Sequence, residues 1–216
     1  MIAVITADLI DSSLYSRTLL NNVLKVLNAE FDNVQQECPN DDLKFKIYRG
    51  DSFQGVTTNL KLALQIALRL KSCLNKIKVE REEEVSRVDA KFAIGIGSFD
   101  FKAATLAESN GQAFQFSGRT LDEMKNDTRR IRLKTTSENI NAEFEASLFL
   151  LDAIMEKWSR ASAEVVYYLL LEMKETEIAE ALSISQSAVN QRKKACGWEA
   201  ISVLLKRFKT TVAETF

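Results

Sequence analysis

The stretch "YRGDSFQG", residues 48–55, is a polar turn between two runs that are typical of β-strands, "LKFKI" and "FQGVTT". Gly50 and Asp51 belong to the residue types that turns favour, so the segment predicts a β-hairpin. A turn alone is enough to explain "RGDS". A further role for Asp51 therefore depends on whether the fold brings a partner to it.

Composition excludes several function classes. The chain has 216 residues, of which 46% are hydrophobic and 27% charged, which is sufficient for one large or two small globular domains. Histidine is absent, so histidine-dependent triads, histidine zinc sites and imidazole acid–base chemistry are excluded. Any catalysis would use carboxylates and a hard cation.

Location is predicted from the cysteines and from the longest apolar runs. The three cysteines have no pair spacing and no apolar leader begins the chain, which favours a reducing, cytoplasmic location. No apolar run approaches 18 residues, so no membrane span is predicted.

The order of periodic segments predicts the fold of the first part. The predicted elements are a strand at 1–10, a helix at 11–37, the hairpin, a helix at 58–78, a strand at 88–101, a helix at 111–126 and a strand at 129–135. This β-α-β-β-α-β order is the ferredoxin-like, split βαβ plan with a helix and strand appended, so the chain is predicted to be α+β. The glycines at 95 and 97 predict a bulge or a close approach of a helix.

Asp8 is the expected partner of Asp51. Asp8 ends the first strand, which lies beside the third strand in this plan, so the two carboxylates should meet. Such a pair suits Mg²⁺ or Mn²⁺, and the amides of the turn "IDSS", residues 10–13, would hold phosphates at a helix N-terminus. The alternatives are a site that has lost its ligand, and a simple cap of the first helix by Asp11 or Ser12, which we favour for Asp11.

Four segments carry a family resemblance over residues 1–135. They are "ITADLIDSS", "KIYRGDSFQGV", "KFAIGIGSF" and "NGQAFQFSGRTLDEM". Together they resemble the SatD-like family of small bacterial proteins and, more remotely, the class III nucleotidyl cyclases. The resemblance implies a nucleotidyl-cyclase-like domain at 1–136 that takes a nucleotide with a divalent metal.

The resemblance also implies site residues. Asp8 and Asp51 would bind the metal together with the Leu9 carbonyl, while Gln115 and Arg119 stand where cyclases contact ribose and triphosphate. The position of the base-selecting lysine holds Ile47, so only half of the cyclase site is kept. The further phosphate-binding candidates are Asp11, Ser12, Ser13 and Arg49. The alternative for Arg49 and Arg119 is that they are ordinary surface charges in contact with water.

The second part predicts a helix-turn-helix. An apolar helix at 137–157 would connect it, and residues 158–216 would form the DNA-binding domain. Within it, the spacing of Ala179, Ser183, Ile184 and Val189 suits two closely crossing helices with a tight turn. The segment resembles the helix-turn-helix of sigma-factor region four and of response regulators. The candidate DNA contacts are Ser185, Gln186, Ser187, Asn190, Gln191, Arg192, Lys193 and Lys194.

Three functions remain open on the sequence. Residues 157–209 carry nine basic and six acidic residues, whereas residues 1–156 carry twenty basic and twenty-three acidic residues. The excess of positive charge in the second part modestly favours binding to duplex DNA. We expect a transcriptional regulator that senses a nucleotide or other phosphate-containing ligand and works as a homodimer. Dimerisation would use the helix near 148–155 or the final helix around Leu204 and Phe208. The alternatives are an active nucleotidyl cyclase, and an interaction module with neither activity.

Overall fold

The computed structural model describes residues 1–39, 41, 43–48, 50–99 and 110–216, and shows an α+β chain built on one mixed sheet. The strands are β1 Ile2–Leu9, β2 Lys44–Tyr48, β3 Ser52–Thr57, β4 Ala90–Gly97 and β5 Ile131–Thr135. Their order is β2-β3-β1-β4-β5, with β1 antiparallel to both of its neighbours and β5 parallel to β4. The predicted split βαβ order is confirmed for the first four strands, and β5 extends the sheet.

Helices cover the sheet and continue beyond it. Within the described residues the α-helices are α1 Arg17–Glu37, α2 Ala63–Asn75, α3 Gln112–Glu123, α4 Glu138–Met155, α5 Arg160–Leu170, α6 Glu175–Leu182, α7 Gln186–Ala195 and α8 Trp198–Thr215. None of the helices in that part of the chain is long and apolar enough to cross a membrane.

The two faces of β1 pack against different helices. Ile5 and its alternate neighbours join the main core with α1 and α2, whereas Ile2 and Val4 pack with Ala113 of α3. A Cβ added at Gly95 would lie 2.2 Å from the Ala113 carbonyl oxygen. The predicted close approach of a helix at this glycine is therefore confirmed, and it sets the position of α3 on the sheet.

The second part packs directly on the first. The main core runs from the sheet through Phe144 of α4 to Val166 of α5 and Phe208 of α8. The Tyr167 hydroxyl donates to the buried Glu30 carboxylate at 2.7 Å, and Gln65 donates to the Leu170 carbonyl at 3.1 Å. The predicted connecting helix corresponds to α4, which lies against β5. The domain boundaries at 136 and 157 stay a prediction, and the core continues across both of them.

Candidate functional site

The structure brings Asp8 and Asp51 together at one end of the sheet. Asp8 lies opposite Ser52 in the register of β1 and β3, and Asp51 precedes Ser52 in the hairpin turn. The Ser52 hydroxyl lies 2.9 Å from Asp8 Oδ1 and 3.4 Å from Asp51 Oδ1. The Leu9 amide donates to the Asp51 carbonyl at 3.0 Å. The expected partnership between the two aspartates is therefore present, with one hydroxyl between them.

The hairpin turn explains how Asp51 reaches this position. Gly50 has a φ of 83°, in the left-handed region that favours glycine. The turn reverses the chain so that β3 pairs with β1 along its whole length. Arg49 lies outside the described residues.

The electrostatics of the site disfavour two ionised carboxylates. Burial raises the pKa of Asp8, and the Asp51 charge raises it further, while the hydrogen bond from Ser52 opposes both effects. Lys91 is opposite Asp8 on β4, but its ammonium group donates to the carbonyls of Lys125 and Asp127 at 3.0 and 2.8 Å. Among the residues that the structure describes, no lysine or arginine is in ion-pair contact with either aspartate, although the charges of Lys125 and Lys91 act to lower the pKa of Asp8. An added cation would therefore relieve the pair.

The site offers the hard oxygen ligands that Mg²⁺ and Mn²⁺ need. Asp8, Asp51, Ser12 and Ser52 offer hard oxygen atoms, and the Ser12 hydroxyl donates to Asp51 Oδ2 at 3.1 Å. Over the described ranges, no group of three or more histidine, cysteine, aspartate or glutamate side chains could surround an ion. Mg²⁺ is commonly bound by one or two carboxylates, water and ligand phosphates. The residues therefore fit a metal that arrives with a phosphate-containing ligand.

The loop after β1 differs from the prediction. Asp11 is exposed, has a φ of 53° and caps no helix through its side chain. Only a single 3₁₀ turn follows, at Ser12–Leu14, and α1 begins at Arg17 with Ser16 as its cap, because the Ser16 hydroxyl accepts from Leu19 at 3.1 Å. The expected Asp11 cap, and a helix N-terminus at residues 10–13, are both wrong.

Tyr15 is the physical reason for this difference. It is buried and extended between the 3₁₀ turn and α1, and its hydroxyl donates to the Ile10 carbonyl at 2.9 Å. This contact closes the loop before the helix starts. Ser12 is left facing Asp51, and Ser13 is exposed.

The remaining cyclase-like positions make no direct contact with the carboxylate pair. Gln115 and Arg119 are exposed on α3, and neither has a hydrogen bond or ion pair with Asp8 or Asp51 within the described part of the chain. Ile47 lies opposite Phe53, and both pack against the main core. Ile47 is therefore on the other side of the sheet from the carboxylate pair.

A polar row next to the pair was missed by the sequence analysis. Thr6 Oγ1 donates to Ser117 Oγ at 2.9 Å and accepts from Gln54 Nε2 at 3.0 Å. Thr6 precedes Asp8 by two residues, and Gln54 follows Ser52 by two, so strand alternation puts them on the same face. This alternation was the signal available in the sequence. The row extends the polar surface from the carboxylates towards α3.

An ion-pair cluster lies beside the loop that carries the site. Lys71 is buried and pairs with the buried Asp89, which also accepts from Asn75 at 3.1 Å. The Asp89 backbone carbonyl accepts from the Ile10 amide at 2.9 Å. Burial opposes ionisation of Asp89, but the charges of Lys71 and Arg87 outweigh it and lower the pKa of this carboxyl. The cluster anchors the start of the loop after β1.

A second candidate region is the pair of helices α6 and α7. Ser183, with a φ of 52°, ends α6, and two further residues lead into α7. The expected contacts are present: Ala179 and Val189 are buried, and Ile184 packs against their cluster. A serine in the left-handed region of φ costs more conformational free energy than a glycine would, and the packing of the small core around Ala179 and Val189 offsets this cost. The predicted spacing is therefore confirmed as local geometry.

The outer side of α7 is polar. Its exposed polar side chains are those of Gln186, Ser187, Gln191 and Lys194, and Asn190 is half-buried. Three other predicted contacts have partners within the protein. Ser185 caps α7 by accepting from Ala188 at 3.1 Å, Lys193 pairs with Glu175 at 2.7 Å, and Arg192 pairs with Glu164 at 3.4 Å. The freely displayed surface is thus smaller than predicted.

Comparison with known proteins gives distant similarities. No family model matches the chain, and no curated protein matches it. Among solved structures it is similar to the active GGEEF domain of a diguanylate cyclase from Vibrio cholerae, at 15% identity and a TM-score of 0.44, covering 63% of this chain and 83% of that one. It is also similar to a bacterial light-regulated adenylyl cyclase, at 11% identity and a TM-score of 0.41, covering 61% and 74%. These scores carry no functional argument, and the SatD-like resemblance stays a prediction.

Proposed function

We propose that the protein is a DNA-binding regulator whose sheet domain binds a divalent metal together with a nucleotide or another phosphate-containing ligand. The observation that carries the proposal is the carboxylate pair of Asp8 and Asp51 in a chain that also carries the compact α6–α7 unit. The first feature suits an anionic ligand with its metal. The second is the arrangement that helix-turn-helix proteins use in the major groove.

The ligand function is supported by the charge balance of the pair. Two carboxylates lie around one hydroxyl, and the pKa of Asp8 is raised on balance although the charges of Lys125 and Lys91 oppose this, so negative charge is left for a cation to neutralise. When bound, the metal would neutralise phosphate charge. Asp8 and Asp51 would hold it, Ser12 and Ser52 would orient their carboxylates, and the row of Thr6 and Gln54 would offer hydrogen bonds to the rest of the ligand.

The DNA function is supported by the side chains that α7 exposes. Glutamine and asparagine read adenine edges through paired hydrogen bonds, and α7 exposes Gln186 and Gln191, which lie about 1.4 turns apart. Lys194 is exposed and would contact a phosphate, whereas Lys193 and Arg192 would have to give up or share their present carboxylate partners.

A physical link between the two functions is available through α5. Glu30 of α1 accepts from Tyr167 of α5 and pairs with Arg69 of α2, so α5 is held by both helices under the sheet. α5 in turn packs with Val189 of α7 through Val165 and Leu169. A ligand that binds one arrangement of these packed helices more tightly than another would shift the population towards that arrangement, and the affinity for DNA would change with it.

A gel-shift titration of the full chain on random-sequence duplex at low salt tests the DNA function. We expect a shift at micromolar protein, in the range of non-specific binding. Lys194→Ala should weaken binding to all sequences and lower the salt slope by about one. Lys25→Ala, an exposed lysine on α1, is the matched control and should change neither. No shift at micromolar protein would overturn the DNA function.

Sequence preference gives a sharper test of the same surface. Gln186→Ala and Gln191→Ala should change which sequence is selected from a random pool, at about 1 to 3 kcal/mol for each paired contact. Gln36→Ala, an exposed glutamine on α1, should leave the selected sequence unchanged. If the wild type and the three variants all select the same sequence, α7 does not read bases.

An active metal-dependent nucleotidyl cyclase is the second candidate, and the carboxylate pair favours it too. Release of pyrophosphate from nucleoside triphosphates in the presence of Mn²⁺ would distinguish catalysis from binding. An enzyme should turn over and lose turnover in Asp8→Asn. A pure ligand-binding domain should show a metal- and nucleotide-dependent melting shift without product.

A further inference from the structure

A cavity lies between α5 and α8, where α2 meets the second part of the chain. Its volume is about 330 Å³, which is within the range of pockets that hold small molecules, and such pockets form preferentially where two structural units meet. It shares no residue with the carboxylate pair. The lining residues that carry the argument are Gln65, Leu169, Glu172, Trp198, Lys206 and Lys209.

The middle of the cavity is apolar. Leu169, Leu170 and Leu205 are buried, and Trp198 is half-buried. An apolar group that enters the cavity is removed from water against these side chains, which stabilises its binding. The lining therefore suits a ligand with an apolar body.

One end of the cavity accepts hydrogen bonds. Gln65, Leu170 and Glu172 mark this end, because they also line an adjoining cavity of about 240 Å³. The Gln65 Nε2 donates to the Leu170 carbonyl at 3.1 Å, which leaves Gln65 Oε1 buried without a hydrogen-bond partner in the described part of the chain. α5 ends at Leu170, and the C-terminus of a helix carries partial negative charge. This end therefore favours a cationic group with N–H donors.

Glu172 adds a full negative charge at the same end. It follows the end of α5 with a φ of 60°, a left-handed conformation that glycine adopts easily and glutamate does not. Its side chain has no hydrogen bond or ion pair with any other residue that the structure describes. The carboxylate is therefore available to a ligand.

The other end of the cavity is cationic. Lys206 and Lys209 lie three residues apart on the face of α8 that lines the cavity, and neither lines the adjoining one. Neither lysine forms an ion pair within the described ranges of the chain. The described lining holds no charged residue besides these two lysines and Glu172. The two ends therefore present unpaired charges of opposite sign.

We propose that this cavity binds a small zwitterion with an apolar side group, which is the chemistry of an apolar or aromatic amino acid. The ligand carboxylate pairs with Lys206 and Lys209, and its ammonium group pairs with Glu172. The apolar side group packs against Trp198 and Leu169. This site depends neither on metal binding at the carboxylate pair nor on DNA binding. Trp198 and Leu169 also pack in the small core under α6 and α7, so the ligand contacts residues that position these helices.

Titration calorimetry of the full chain with free leucine, phenylalanine and tryptophan, up to about 10 mM, tests the site. We expect at least one of the three to bind. Its N-acetyl derivative lacks the ammonium group and its amide lacks the carboxylate, so each should bind at least about tenfold more weakly. The proposal is wrong if none of the three amino acids binds, or if both derivatives bind as tightly as the free amino acid.

Two variants test the residues. Glu172→Gly relieves the left-handed glutamate, so it should raise the melting temperature by about 2 to 4 °C and yet weaken amino-acid binding at least about tenfold. Lys206→Gln combined with Lys209→Gln should weaken binding as much and leave the melting temperature unchanged. Lys157→Gln, at an exposed lysine outside the cavity, is the control and should bind like the wild type.

The stabilising variant separates a ligand role from a purely structural one. A Glu172→Gly protein that melts higher and binds the amino acid as tightly as the wild type would overturn the role of this carboxylate. A double lysine variant with unchanged affinity would overturn the assignment of the cationic end.

Discussion

Two acidic sites lie at the same end of the neighbouring strands β1 and β4, and the fold treats them in opposite ways. Asp89, at the start of β4, is buried with Lys71, Arg87 and Arg130 around it. Asp8, at the end of β1, is half-buried and meets a second carboxylate, Asp51, through one serine hydroxyl. Burial raises the pKa of Asp8, whereas the charges around Asp89 lower the pKa of that carboxyl.

The difference separates a structural role from a binding role. A buried carboxylate with several cationic partners has its charge compensated within the chain. Removing one of these partners leaves a buried charge whose desolvation is no longer compensated, and this destabilises the fold. Two carboxylates without an ion-pair partner are a local weakness, and the charges of Lys125 and Lys91 offset it only in part, since the pKa of Asp8 is still raised. Asp89 is therefore expected to matter for folding, and Asp8 with Asp51 for binding.

The largest effect should come from breaking the buried pair. Lys71→Met should lower the free energy of unfolding by about 3 to 5 kcal/mol, because Asp89 would remain charged in a buried site. Denaturant unfolding measures this. Lys71→Met combined with Asp89→Leu should cost less than the sum of the single changes. A loss of under 1 kcal/mol in Lys71→Met would remove the proposed contrast between the two pairs.

The second-largest effect should be stabilisation of the folded protein when a metal binds at Asp8 and Asp51. With Mg²⁺ or Mn²⁺ and a nucleoside triphosphate at 100 times the dissociation constant, the wild type should gain about 2.7 kcal/mol. Asp51→Asn should lose this gain while folding normally, since the residue lies in a half-buried turn. Asp32→Asn, an exposed aspartate on α1, is the control and should keep it. An unchanged melting shift in Asp51→Asn would contradict a metal role for the pair.

A smaller effect is expected at the hydroxyl between the carboxylates. Ser52→Ala removes a hydrogen bond to Asp8 and leaves the two negative charges facing each other, at a cost of about 1 kcal/mol without metal. Ser12→Ala, which removes a contact with Asp51 alone, should cost less. Thermal melting in EDTA compares the two. Equal melting temperatures would show that Ser52 does not mediate between the aspartates.

The smallest effect is a pH dependence from Asp8. Because its pKa is raised in the folded protein, the folded state holds the proton to higher pH, and the stability from this group is lost as pH rises through the folded pKa. Asp8→Asn in EDTA should therefore be more stable than wild type at pH 7, by about 1 kcal/mol or less after solvent screening.

This stability advantage of Asp8→Asn should vanish below about pH 3.9, where the carboxyl is protonated in both states. Melting temperatures of both proteins from pH 3 to pH 8 test this. A stability difference that stays constant over this range, or a wild type that is the more stable at pH 7, would contradict a raised pKa.

Much of the sheet could be predicted from the sequence. The alternation in "MIAVITADLI" and the turn at Gly50 are short-range signals, and the order of elements restricts the sheet to few topologies. The meeting of Asp8 with Asp51 followed from that topology. The loop at 11–16 could not be predicted in the same way, since Asp11 has a cap-forming side chain but the contact between Tyr15 and Ile10 decides where α1 begins.

The sequence by itself determined the strand order, the spacing of α6 and α7, and the positions of the two aspartates, because periodicity and turn chemistry act over a few residues. Only the tertiary structure decided which charges have partners. Lys71 and Asp89 lie 18 residues apart in the sequence, and so do Glu175 and Lys193. Such contacts depend on how packed elements bring distant side chains together, and no local pattern encodes them.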